Sequence, residues 1–166
     1  MTADTSALFD KAMVSMGSAL TTWTSGTAAT KWVLLGSSTL LTNCGTNKTG
    51  WSTYADITTD THEIAHGTYA SYITGGQVAP SLTAPALASS VCYFDMGDIS
   101  WTSATMAGVR VGIIKGDSAT ITTATGPLIG YWAFGADQSV TAGTFTVVWA
   151  SSPQNGCFAI TISGAT

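Results

Sequence analysis

"GPLIGYWAFGADQSVTAGTFTVVWA", residues 126–150, carries one charged side chain, Asp137, in twenty-five positions. In its first part, strict alternation places Leu128, Trp132 and Phe134 on one face and Ile129, Tyr131 and Ala133 on the other. Both faces are apolar, which predicts a strand covered on both sides. "GADQSVTAG" reads as a turn. "TFTVVWA" then points Phe145, Val147 and Trp149 inward and Thr144 and Thr146 outward, a strand covered on one side. The stretch therefore reads as core and subunit-contact material, without a catalytic group.

Neighbouring segments repeat the pattern. "KWVLL" (31–35) is a short apolar run, and "GVRVGIIKGD" sets Val109, Val111 and Ile113 against Arg110 and Gly112 before turning at Gly116-Asp117. "SVCYFDMGDISW" suggests two strands around Gly97, and "CFAITIS" alternates with Phe158, Ile160 and Ile162 inward. In "SLTAPALA", Pro85 removes a backbone donor and demotes the strand to a sheet edge. "TNCGTNKTGWST" reads as an exposed loop.

One helix is predicted, in "SALFDKAMVSMGSALTTW", where Phe9, Met13, Met16 and Leu20 form an apolar stripe behind Asp4, Thr5 or Ser6 as cap. That stripe is the candidate interface, free to pack at a subunit or capsid contact as well as on its own domain. The expected fold is all-β: a β-sandwich or jelly-roll-like barrel with one short N-terminal helix. A single domain is expected over 1–166, with a helical arm at 1–22 and the β-sandwich at 30–163.

Composition agrees. Of 166 residues, 45% are hydrophobic and 8% charged, against a usual charged share of about 25%. The 29 Thr residues favour a pleated, half-buried surface. The net charge is -4, and the five Lys and Arg are scattered singly. No basic patch neutralises phosphates, so a nucleic-acid partner is not expected. No membrane partner is expected either, because no apolar run approaches about 20 residues, and the acidic start lacks a signal peptide's positive region. Cys44, Cys92 and Cys157 are odd in number and widely spaced, which suits buried thiols better than a disulfide framework.

The residues His62-Glu63-Ile64-Ala65-His66 match H-E-x-x-H literally. On a helix the two histidines share a face and hold zinc, with the Glu activating a bound water. The flanks "DITTD" and "GTYASYI" are β-branched and Gly-punctuated, a strand-and-turn context in which Glu63 faces away from His62, Ile64 and His66. His62, Glu63 and His66 are thus weak metal candidates, and no cofactor is expected. Asp95 and Asp98 around Gly97 read as turn residues before a calcium pair.

The blocks "TKWVLLGSS", "YADITTDTHEIAHGTYASYITGGQV", "YFDMGDISWTSATMAGVRVGIIKGD" and "GPLIGYWAFGADQSVTAGTFTVVWA" resemble successive blocks of a tailed-bacteriophage virion structural protein family. The resemblance covers most of residues 7–162, and its most specific parts are "DISWTSATMAG" and "PLIGYWAFGADQS…GTFTVVW". The chain departs from the pattern at Ala133, where the family commonly has an acidic residue, and in the enlarged loop "LTNCGTNKTGW". The resemblance implies a non-enzymatic head decoration (cement) protein on the capsid exterior. Its implied partners are the major capsid protein and copies of itself, as a homotrimer. A tail, fibre or receptor-binding component is the alternative, with Trp51 and Tyr54 as exposed glycan contacts. A zinc hydrolase at His62, Glu63 and His66 is the remote one.

Overall fold

The computed structural model describes residues 5–8, 31–47, 50–58, 62–64, 72, 74–88, 91–116, 127–149 and 158–161. Strands β1 (Thr5–Leu8), β2 (Lys31–Gly36), β3 (Gln77–Val78), β6 (Ile99–Gly116) and β7 (Leu128–Val147) form one antiparallel sheet in the order β1-β7-β6-β2-β3. Strands β4 (Leu82–Ala88), β5 (Val91–Met96) and β8 (Phe158–Thr161) form a second, ordered β4-β5-β8. Two helices, α1 (Ser38–Asn47) and α2 (Tyr54–Thr58), follow β2. The described residues are thus mainly antiparallel β, as the composition predicts, and neither described sheet closes on itself.

Two apolar clusters flank the five-stranded sheet. On one face Val33, Leu35, Ile114, Trp132 and Phe134 meet Phe94 and Met96 of β5. On the other, Leu34, Val111, Ile113 and Leu128 lie beneath Leu40 and Cys44 of α1 and Tyr54 and Ile57 of α2. The doubly apolar pattern of "PLIGYWAFG" is therefore read correctly, but its faces are not as strict alternation predicts. Ile114 pairs with Gly130 and Lys115 with Leu128, so Ile129 is an extra residue on β7. This bulge sends Leu128 to the helix side with Tyr131, and Ile129 to the other side with Trp132 and Phe134.

"GADQSVTAG" is likewise no chain reversal, since β7 runs through it. The pairing of β6 with β7 is broken by irregularities, with left-handed backbone at Ser103, Gly108, Gly135 and Ala142 (φ 53°, 68°, 70° and 49°). Beyond Val109 and Gln138 the two strands form a ribbon with no further described strand beside it. Its inner face buries Trp101, Met106, Phe145 and Val147. Phe145, Val147 and Trp149 point inward as expected, and a chain of ring contacts runs Tyr72–Trp101–Phe145–Phe134–Trp132–Trp149.

Two further expectations are corrected. "LTNCGTN" is helical in α1, because Ser37 Oγ caps the Leu40 amide at 3.4 Å and Leu40 and Cys44, four apart, bury on the sheet. Burial there overrides the weak propensity of Thr, Asn and Gly. At the N-terminus Ser6–Leu8 belong to a strand paired with β7 (Ser6 opposite Trp132), so the predicted helix does not begin at Ser6. Phe9, Met13, Met16 and Leu20 lie outside the described residues, as do His66 and Cys157. Pro85 sits on edge strand β4, at an irregularity between Thr83 and Ala86, as its missing donor requires.

Candidate functional site

The segment His62–Ile64 is extended. Glu63 bridges Gly36 antiparallel, the Ile64 amide donates to the Leu35 carbonyl (2.9 Å), and the Ser37 amide donates to the His62 carbonyl (3.0 Å). This is the strand-like course that the flanks predict, and it does not supply the helical i, i+4 face of a metalloprotease. Among the described residues, no group of three or more His, Cys, Asp and Glu can hold a metal ion.

Glu63 instead joins a polar cluster. Its Oε2 accepts from the Tyr54 hydroxyl (2.8 Å), and its Oε1 accepts from the Tyr72 hydroxyl (2.7 Å) and the Gly75 amide. The Tyr72 oxygen in turn accepts from the Leu35 amide (2.9 Å). The Lys115 Nζ lies 3.9 Å from the centre of the Tyr54 ring, and Lys115 is fully buried (0% exposed). Tyr54 thus stands between a cation on its ring face and a carboxylate on its hydroxyl. Electron density drawn by one partner is supplied by the other, so the two contacts reinforce each other.

Burial dominates the electrostatics. It raises the Glu63 carboxyl above its usual range, against the Tyr72, Gly75 and Tyr54 donors and the Lys115 charge. It lowers the Lys115 ammonium, against Glu63. Burial and then the Glu63 charge push both tyrosine hydroxyls up, so both remain protonated donors. A general base must reach the proton of a reacting group, whereas the contacts of Glu63 are donors of its own chain. Chemically, the cluster holds a charge inside the protein and ties three segments and β6 together.

Other sequence candidates take structural places. Asp98, just past β5, accepts from the distant Trp149 amide through Oδ1, and Asp95 lies inside strand β5 rather than in a turn, its Oδ1 accepting from the Met96 amide (2.9 Å each). Tyr54 is buried (3% exposed) and Trp51 packs partly against the helix-side cluster, so Tyr54 is not an exposed glycan contact. Sequence reasoning missed Tyr72 and Gly75, which carry no motif. It also passed over Lys115, whose charge inside the apolar run "VGIIKG" was a usable signal. Comparison of the chain with known protein families, with curated proteins and with solved structures finds no match.

Proposed function

We propose that the chain is a non-enzymatic structural protein of a tailed-phage virion. In this reading it is a decoration protein that self-associates, as a trimer, on the capsid exterior and adds contacts between subunits of the major capsid protein. The two sheets pack as a sandwich through their shared apolar cluster. The observation that carries the reading is the β6–β7 ribbon. Residues 99–109 and 138–147 contain no Asp, Glu, Lys or Arg. Their outward side exposes Thr102, Thr105, Ser139, Thr141 and Thr144. So little charge gives little repulsion between copies. A specific contact needs about 1,600 Å², and repetition over a shell multiplies each weak contact. Engagement of Glu63 by its own chain supports the non-enzymatic part.

The test is addition of purified protein to heads stripped of it. Saturable binding to the outer surface, with heads that resist heat better, is expected. Absence of binding, or a cryo-EM map placing the chain on the tail, overturns the reading. Elemental analysis is expected to find well under one zinc per chain; stoichiometric, chelator-removable zinc with peptidase activity would restore the hydrolase.

A further inference from the structure

Among the described residues, β1 is the outermost strand of its sheet and pairs with β7, Thr5 opposite Ala133 and Leu8 opposite Gly130. Gly130 in turn pairs with Ile114 and Ile114 with Val33, so Leu8, Gly130, Ile114 and Val33 stand in one row across the sheet. Every pairing in the row is antiparallel, which brings the end of β1 and the start of β2 to the same end of the sheet. They are three strand spacings apart, about 14 Å. About five extended residues close such a gap. The chain places 22 there, residues 9–30, with a greatest reach of about 70 Å. The connection is thus far longer than closing its own sheet requires.

We propose that the β7 edge at Gly130–Ala133 is a docking site for residues 5–8 of a second copy, and that exchange of this strand joins the copies to one another. The inference rests on the self-association proposed above and names the contact that carries it. An edge strand binds through main-chain hydrogen bonds, and these are the same whichever copy supplies it. The choice between the two strands therefore turns on local concentration. A long connection dilutes the chain's own strand, while copies held side by side in an assembly offer theirs. The edge itself invites a strand. Residues 128–134, "LIGYWAF", carry no charge and no proline, the groups that usually keep a bare edge from pairing. Residues 5–8, "TSAL", are likewise uncharged, so no repulsion opposes the entry of a second copy's strand.

In the experiment two variants are mixed, unfolded and refolded together. Both carry Cys92→Ser and Cys157→Ser, leaving only the enclosed Cys44; one adds Thr5→Cys and the other Ala133→Cys. Cα atoms directly opposite in an antiparallel pair are about 4.5–5.5 Å apart, within reach of a disulfide. Mild oxidation is expected to link the two variants into a covalent heterodimer in the oligomeric fraction from sizing. Oligomers without that link would overturn the strand exchange and leave self-association standing; a purely monomeric mixture would overturn both. Removal of residues 1–8 gives a second reading that needs no new thiol. The shortened chain is expected to keep a cooperative melting transition and to lose its oligomers, whereas oligomers of unchanged size would overturn the inference.

Discussion

Asp56 shows how one side chain sets a helix. Its Oδ2 accepts from the Ser52 and Thr53 amides, 2.8 Å each, ahead of α2. Thr53 and Asp56 stand three apart, as in the reach-back half of a capping box. Burial works to raise this carboxyl, but the Ser52 and Thr53 hydrogen bonds outweigh it and hold the pKa below its usual value. A lowered carboxyl stabilises the fold above its unfolded pKa and loses that contribution as pH falls through the folded one. Asp56→Ala is expected to cost about 1 kcal/mol at neutral pH. The difference from the parent should vanish in acid, as denaturant midpoints measured across pH will show. Glu63 has the opposite sign. Its raised pKa favours the fold below the unfolded carboxyl value, and that contribution fades as pH rises through the folded value. Parent stability relative to Glu63→Gln should therefore decline with rising pH over that window; a flat difference would contradict the burial argument.

At the scale of elements, the backbone of the ribbon departs from ordinary strand geometry. Ser103 and Ala142 adopt the left-handed conformation, which disfavours side chains bearing a Cβ. Ala142→Gly is expected to raise stability by up to about 1 kcal/mol in urea unfolding, since relief of the roughly 1–2 kcal/mol left-handed penalty exceeds the entropy cost of glycine. Gly112 behaves in the reverse sense, because a Cβ there would overlap the Trp132 indole. Gly112→Ala should cost about 1–3 kcal/mol or more by overpacking. These positions also mark where reading the chain alone stops. Reading by apolar runs and alternation located strand segments within β2, β5, β6 and β7, because burial of a sheet face imposes a period of two, but the turn expected at 135–143 lies inside the single strand β7. It misplaced Leu128 and Ile129, because one bulged residue inverts the faces and leaves no trace when both residues are apolar. It missed α1 because the helix depends on Leu40 and Cys44 reaching the sheet, a contact between distant parts of the chain. The reading also passed over the Thr53-x-x-Asp56 cap of α2, and the Glu63 cluster was not legible, since its members come from four separate segments.

Across the whole molecule, the aromatic chain links the ribbon to the body. Trp149 meets Trp132 at 4.6 Å, its Nε1 donates to the Gly97 carbonyl (3.2 Å), and its amide donates to Asp98. Trp149→Ala is expected to cost about 3–5 kcal/mol, read as a fall in melting temperature. An unchanged melting temperature with lost binding to heads would make the aromatics surface contacts instead. Deletion of residues 1–22 removes β1 together with the apolar stripe, and assembly should suffer more than the remaining fold, as sizing and rebinding to stripped heads will show. The position of Cys44 has a practical consequence. Its side chain is wholly enclosed (0% exposed) where α1 lies on the sheet. With Cys92 and Cys157 changed to serine, a thiol reagent can reach sulfur only in the fraction of molecules whose helix has lifted. Labelling time then becomes a clock for that excursion, and comparing free protein with protein seated on a particle would reveal how firmly attachment clamps the helix down.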